Sequence, residues 1–266
     1  MILAYSRNNI WRDDIALWQD VVKKSSKKAR PFGALGVAYS NKEMYDEAIK
    51  SLTKSIFLAP SFDSFHNCGI AYRKKGENEK AIYYFDRAIA LNQNADKSYF
   101  SRGLAHFEMG KPHKAIEDWT SAIFINPYYK DAFYSRGSAY LKSGRHDNGI
   151  SDFTIAISID PDFIDGYFMR GNAYFNVGQY EKAIEDFTKA ISLDPKYAKP
   201  YNNRGLAYLR IGQIDEAIRD FDFAIALDKD YFTARSNLGF ALEEKAKLSI
   251  DPKSPDASKH SVHPRK

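Results

Sequence analysis

The stretch Ile164–Tyr197 reads IDGYFMRGNAYFNVGQYEKAIEDFTKAISLDPKY and contains the pattern that decides the fold. Small and aromatic residues recur in it at spacings of three, four and seven, which is typical of amphipathic helices. Gly178 falls between two such segments, where a turn would separate them, and Pro195 follows the second. The stretch therefore predicts a helix, a short turn and a second helix.

The same pattern returns about every 34 residues. Counting Ile164 as position 1, position 8 is glycine and position 24 is bulky and apolar in six successive rows, and small residues of this kind let helix backbones approach while the large ones fill the space between them. The position-8 residues are Gly36, Gly69, Gly103, Gly137, Gly171 and Gly205, and the position-24 residues are Leu52, Phe85, Trp119, Phe153, Phe187 and Phe221. The rows predict six helical hairpins over residues 29–61, 62–95, 96–129, 130–163, 164–197 and 198–231.

These rows resemble the tetratricopeptide repeat (TPR), which has an aromatic residue at position 4, Gly at 8, Tyr at 11, Ala at 20, an aromatic at 24, Ala at 27 and Pro at 32. The row Ile164–Tyr197 matches at Tyr167, Gly171, Tyr174, Ala183, Phe187, Ala190 and Pro195. The resemblance covers about three quarters of the chain. It implies an all-α, right-handed superhelical solenoid whose concave groove is lined by the first helix of each hairpin.

The two ends of the chain depart from complete rows. Residues 1–28 contain a second helix without its first, with Trp18 at position 24, and such a helix exposes the face that its partner would cover. The partner would have to come from upstream or from another chain. Residues 232–248 continue the first-helix pattern and predict a capping helix, whereas 249–266, rich in Pro, Ser and Lys, predict a disordered basic tail.

A second resemblance concerns the segment Arg7-Asn8 to Trp11, continued by Leu17-Trp18 and Pro31. It looks like the junction in protein-O-mannosyltransferase-like multi-spanning membrane proteins, where a C-terminal repeat domain follows the last membrane helix. It implies an accessory domain that recruits substrate, with a membrane-embedded partner or a missing upstream segment. The alternative is an ordinary cap helix on a soluble protein. The chain would be membrane-associated in the first case and cytoplasmic in the second.

Composition excludes several other classes of protein. The formal net charge is +5, but residues 1–31 and 245–266 carry +4 each, which leaves −3 on the repeats. Because nucleic-acid binders concentrate basic residues on the folded body, we expect no nucleic-acid partner. The six His residues form no metal-binding or nucleophile motif, and the repeat accounts for every glycine-rich stretch. We therefore expect no enzyme activity, no catalytic residue, no metal and no cofactor.

Charged residues at positions 7 and 23 change together. Rows with Arg at position 7 have Asp at 23, whereas Leu35 and Cys68 at position 7 go with the uncharged Ser51 and Tyr84. The four pairs are Arg102 and Asp118, Arg136 and Asp152, Arg170 and Asp186, and Arg204 and Asp220. This joint switching predicts a structural ladder of ion pairs, within one repeat or between neighbours, because the arginine fork can meet a carboxylate with two hydrogen bonds. The alternative is that the arginines bind a ligand.

The candidate binding surface is the groove of repeats 2–6. Positions 5, 9 and 12 of a first helix form one stripe, apart from the core-facing positions, and position 6 adds asparagines. The candidates are His66, Asn67, Ile70, Arg73, Phe100, Leu104, Phe107, Tyr134, Leu141, Phe168, Asn172, Phe175, Asn202, Asn203, Leu206 and Asn237. The aromatic groups suggest a hydrophobic channel for a peptide or protein segment, or else they only pack against the neighbouring repeat.

The amides favour one kind of ligand and disfavour another. Side-chain amides can hydrogen-bond an extended backbone whatever its sequence. In the two-carboxylate clamp of chaperone-binding TPR domains, Asn172 and Asn203 would match the two amides, but Phe168, Thr233 and Asn237 stand at the basic positions. Without those cations, we do not expect a ligand held by its carboxylates. The predicted function is a protein–protein interaction scaffold whose ligand and oligomeric state the sequence does not identify.

Overall fold

The computed structural model describes residues 14–250, with side chains for residues 14–248. It confirms the predicted all-α fold class, because this range contains fourteen helices and no strand. The helices are α1 Asp14–Lys24, α2 Ala29–Asn41, α3 Tyr45–Leu58, α4 Phe62–Lys74, α5 Asn78–Leu91, α6 Asp96–Glu108, α7 Pro112–Ile125, α8 Lys130–Lys142, α9 His146–Ile159, α10 Ile164–Asn176, α11 Tyr180–Leu193, α12 Ala198–Arg210, α13 Ile214–Leu227 and α14 Phe232–Ile250.

The contacts divide the chain into two units, Met1–Ala132 and Phe133–Lys266. In unit 1, α2 pairs with α3, α4 with α5 and α6 with α7, and α1 packs against α2. In unit 2, α10 pairs with α11 and α12 with α13, and α14 packs against α13. Helix α14 continues to Ile250, two residues beyond the predicted end of the capping helix, and Pro252 follows closely.

Glycine closes the turn inside most hairpins. Five turn glycines, Gly178 among them at φ +77°, lie in the left-handed region of backbone space, which a residue without a side chain reaches at little cost. In the first hairpin Glu43 takes this conformation, at φ 59°. The turn therefore needs a positive φ in each of these hairpins.

The core is formed by large residues set against glycine. Phe187 is fully buried, and a Cβ added to Gly171 would lie 2.7 Å from its Cε1 atom. The position-24 residues of all six hairpins are 0–1% exposed, and each position-8 glycine faces one of them in this way. Glycine at position 8 is therefore required by the close approach of the position-24 side chain.

Gly149 is the one glycine in a position that alanine fills in the other five hairpins. Gly149→Ala should raise the free energy of unfolding by about 0.5 kcal/mol, because glycine inside a helix costs about 0.5–1 kcal/mol. The gain is not the full amount because the new Cβ would lie 3.1 Å from the carbonyl oxygen of Gly137. Urea denaturation followed by circular dichroism measures the difference.

The matched control is Gly171→Ala, also a glycine-to-alanine change inside a helix of unit 2. There the methyl group meets the buried ring of Phe187, so we expect a loss of about 1–3 kcal/mol from overpacking. A loss of stability in Gly149→Ala would contradict the expectation and show that the pair of helices cannot open by a few tenths of an ångström.

Candidate functional site

Four asparagines form a continuous chain of hydrogen bonds in unit 2. Asn237 Nδ2 on α14 donates to Asn202 Oδ1 on α12 (2.9 Å), and Asn202 Nδ2 donates to the neighbouring Asn203 Oδ1 (3.0 Å). Asn203 Nδ2 then donates to Asn172 Oδ1 on α10 (2.7 Å). We call these four residues the amide chain. It connects three successive first helices of the repeat pattern.

The members of the amide chain differ in burial. Asn202 is only 2% exposed, whereas Asn172, Asn203 and Asn237 are half-buried. The sequence places Asn202 among the groove-lining residues, whereas its side chain is almost fully buried and links Asn237 to Asn203. Each amide has two N–H bonds and an oxygen with two lone pairs, and each link uses one of each. The three half-buried amides therefore keep hydrogen-bonding capacity for a ligand.

Aromatic rings flank the amide chain on α10. Phe168 and Phe175 stand four residues before and three after Asn172, so the three share one face of the helix. The ring of Phe168 lies 5.3 Å from that of Tyr197 and that of Phe175 lies 5.4 Å from that of Tyr180. Both phenylalanines are half-buried. The ring of Phe168 also lies 6.1 Å from that of Phe187, and the guanidinium of Arg210 lies 5.8 Å from the ring of Phe175. Each ring thus has two neighbours and keeps part of its surface open.

The other candidates of unit 2 are also half-buried. Tyr134 on α8 contacts Phe153 and Phe163, with ring centroids 5.9 and 5.1 Å apart. Leu206 packs against the core cluster of α13 and α14, and Leu141 is half-buried. These side chains contribute to packing as well as to the surface.

In unit 1 the candidate side chains have partners of their own. His66 Nδ1 lies 2.8 Å from the buried Ser98 Oγ, and burial, together with a smaller effect of the Lys97 charge, lowers the pKa of the imidazole below its ordinary value. The ring is therefore neutral near pH 7. Arg73 Nη1 donates to Glu108 (2.7 Å).

The remaining candidates of unit 1 follow the same trend. The ring of Phe100 lies 4.9 Å from that of Tyr129, and the ring of Phe107 lies 5.7 Å from that of Trp119. Both are half-buried, as are Asn67, Ile70 and Leu104. The ring of His66 also lies 5.7 Å from that of Phe62 and 5.8 Å from that of Phe85, so these candidates take part in the packing of unit 1.

The position-7 arginines pair with the position-23 aspartates of the same repeat. Arg170 donates to Asp186 from Nε (2.8 Å) and Nη2 (2.7 Å), and this hydrogen bonding raises the pKa of the guanidinium against the lowering effect of burial. The same two-bond arrangement joins Arg136 to Asp152 and Arg204 to Asp220, and Arg102 Nη2 lies 2.5 Å from Asp118. All four aspartates are buried.

The arginines also reach the preceding repeat, a contact that the sequence reasoning missed. Arg170 Nη1 donates to Thr154 Oγ1 (3.1 Å), Arg204 Nη1 donates to Thr188 Oγ1 (2.9 Å), and Arg102 Nη1 donates to Asp86 (2.5 Å). The three acceptors stand at position 25, which is a hydrogen-bonding residue in all six rows, so the signal was present. Each of these guanidinium groups therefore joins two adjacent hairpins and is already partnered.

No group of three or more His, Cys, Asp or Glu residues within residues 14–250 could hold a metal ion. No helix in that range is long and apolar enough to span a membrane. Arg7, Asn8 and Trp11 of the membrane-protein junction, and the basic tail from residue 251, lie outside it.

Comparison with known families gives matches over most of the chain. Sequence profiles described as "TPR repeat" or "Tetratricopeptide repeat" match residues 29–62, 69–110, 100–162, 153–185, 171–212 and 198–231. No curated protein matches the chain, and none of these findings supports the membrane-protein junction.

Similar solved structures carry the same fold. The crystal structure of MamA is 27% identical over 63% of this chain and 92% of MamA, with a TM-score of 0.60. YrrB, whose structure is described as that of a TPR protein with an unusual peptide-binding site, is 21% identical over 74% of this chain and 99% of its own, with a TM-score of 0.64. The C-terminal part of a TPR protein from Cytophaga hutchinsonii is 20% identical over 87% and 96%, with a TM-score of 0.70. With its repeat profiles and its helical hairpins, this chain belongs to the tetratricopeptide-repeat family.

Proposed function

We propose that this protein is a non-catalytic interaction scaffold and that the amide chain of unit 2 binds the backbone of an extended segment of a partner protein. The observation that carries the proposal is the continuous hydrogen bonding from Asn237 through Asn202 and Asn203 to Asn172. It links amides of three successive first helices. A row of amides suits a backbone, which presents N–H and C=O groups at regular intervals.

The free protein holds these amides in place. Polar groups that are buried without partners cost free energy, and here the side chains satisfy one another before any ligand arrives. A ligand would extend an existing network and would not have to order flexible side chains, which reduces the entropic cost of binding. The amide chain therefore behaves as a preorganised site.

The surroundings define the ligand further. The open parts of Phe168 and Phe175 can contact apolar side chains of the bound segment, as in grooves that receive extended peptides. Thr233 and Asn237 stand where a carboxylate clamp would need cations. We therefore propose an internal segment of a partner protein as the ligand, with no requirement for its terminal carboxylate.

Selection from a phage-displayed library of random peptides on the full chain would supply a defined probe. For a selected synthetic peptide, Asn203→Ala and Asn172→Ala should each weaken binding about fivefold to tenfold, as expected for the loss of one hydrogen bond. Isothermal titration calorimetry measures the change. Asn202 is left unchanged, because its side chain is buried and its replacement would lower the stability of the protein as well as the affinity.

The matched control is Asn176→Ala, which makes the same change on α10, the helix that carries Asn172. Asn176 is exposed and lies outside the amide chain. It should leave the affinity unchanged, and circular dichroism should show all variants folded. Equal affinities for Asn203→Ala and wild type would exclude the amide chain as the binding site.

A further inference from the structure

The first described helix is half of a hairpin. In α1, Trp18 stands at position 24, where the residues of all six complete hairpins are 0–1% exposed. Helix α1 has no buried residue, and Trp18 is only half-buried. Among residues 14–250 no first helix precedes α1. Its large aromatic ring is therefore less buried than the position-24 residue of any complete hairpin.

The last described helix, α14, follows the pattern of a first helix and has no second helix to pair with among the described residues. In α14, Gly239 stands at position 8, yet a Cβ built on it would meet nothing within 4 Å. At the six other position-8 glycines such a Cβ would lie 2.5–2.9 Å from the position-24 side chain. Leu242, three residues further along the same face, is 49% exposed. Within the described residues no second helix follows α14. The space next to Gly239, which a position-24 side chain fills in each complete hairpin, holds no such side chain here.

The residues next to Trp18 and Gly239 are also complementary in character. Inside the chain, arginine at position 7 is paired with aspartate at position 23, and an apolar residue at position 7 meets an uncharged one, as with Leu35 and Ser51. At the two ends, position 7 is Leu238 on α14 and position 23 is Leu17 on α1. Bringing these helices together would place Leu17 next to Leu238, which buries apolar surface and strands no charge at this pair of positions.

We propose that α14 of one copy of this protein pairs with α1 of a second copy, with Trp18 of the second copy seated over Gly239 of the first. The contact continues the helix pairing that the hairpins already use within the chain. It is heterologous, because the two copies contribute different surfaces, so repeated association gives open chains or closed rings. The proposal is independent of peptide binding by the amide chain.

One residue limits the strength of the contact. Asp14 of α1 stands at position 20, which alanine or glycine fills in the complete hairpins. At that position a methyl group on Gly149 would already lie 3.1 Å from a backbone carbonyl. A carboxylate brought against a carbonyl oxygen is repelled as well as crowded. Association should therefore depend on protein concentration, and Asp14→Ala should tighten it.

Sedimentation velocity of the full chain over a wide range of concentration tests the proposal. Wild type should shift from monomer to larger species, and Trp18→Ala should weaken this by about thirtyfold, as for a tryptophan at the centre of an interface. Gly239→Leu should abolish it, and in the monomer the Cβ atom that this change adds would meet nothing within 4 Å. The matched control Thr233→Leu, at an exposed position on another face of α14, should associate like wild type.

Mixing the two impaired variants provides the decisive observation. The Trp18→Ala protein keeps an intact α14, and the Gly239→Leu protein keeps an intact α1, so an equal mixture should form one-to-one dimers and nothing larger. Failure of the mixture to associate would overturn the proposal, as would undiminished association of both variants alone. A wild-type chain that stays monomeric at the highest concentration would also overturn it and would indicate that the terminal segments of the same chain cover these faces.

Discussion

Phe187→Ala should lower the free energy of unfolding by about 3–5 kcal/mol, as for other buried phenylalanines. Its ring is fully buried on α11 and fills the space that Gly171 leaves on α10. Because both residues lie in helices, the surroundings can collapse only partly, and the truncation leaves a cavity. Urea denaturation monitored by circular dichroism gives the value.

The control is Phe124→Ala, the same truncation at a ring that is 87% exposed. It should change stability by no more than about 0.5 kcal/mol, which is the usual range for surface substitutions. If the two variants lost equal stability, the position-24 aromatics would not form the core of the hairpins, and the packing described here would be contradicted.

Asp186→Ala should cost about 3 kcal/mol, because it leaves the guanidinium of Arg170 largely buried without its carboxylate. The side chains of Arg170 and Asp186 are only 17% and 6% exposed, so solvent replaces little of the lost interaction. The hydrogen bond from Arg170 to Thr154 remains, which keeps the expected loss at the lower end for a broken buried pair. Urea denaturation again measures the difference.

A double-mutant cycle separates the ion pair from other effects. Arg170→Met and Asp186→Leu together should cost less than the sum of the single changes, since neither charge is then stranded. The comparison cycle combines Arg170→Met with Asp152→Leu, whose carboxylate is hydrogen-bonded to Arg136. It should show little coupling. Zero coupling in the first cycle would contradict a structural role of the ion pair and would favour the alternative, in which the arginines bind a ligand.

Local spacing made the helical hairpins predictable. The seven TPR positions of Ile164–Tyr197 lie within one row, and a helix, its turn and its partner helix depend mainly on residues of that row. A contact between Arg170 and Asp186 was predictable for a different reason, because the residues at these two positions change together from row to row. The contact of Arg170 with Thr154 was missed because threonine at position 25 is also an ordinary surface residue.

The amide chain depends on how successive repeats are placed. Asn203 meets Asn172 across 31 residues, and Asn237 meets Asn202 across 35. The sequence identified each of these residues as a groove candidate, but spacing within one helix cannot show which amides of different helices touch. Nor could it show that Asn202 is buried, because that depends on the crossing of α12 with its neighbours.

The central claim is that the amide chain binds the backbone of an extended segment, and backbone N-methylation tests it most directly. In a peptide selected as described, each backbone N–H would be methylated in turn, and the affinity of each derivative for the wild-type protein would be measured by calorimetry. We expect methylation at alternate central residues to weaken binding about tenfold or more, because a backbone donor is lost and a methyl group is placed against the amides. A peptide of the same composition but scrambled sequence should lose less affinity than the methylated derivatives, because its backbone is unchanged and only the side-chain contacts with Phe168 and Phe175 are altered. Unchanged affinity for every methylated peptide, with loss of binding on scrambling, would contradict the claim and show that side chains alone are recognised.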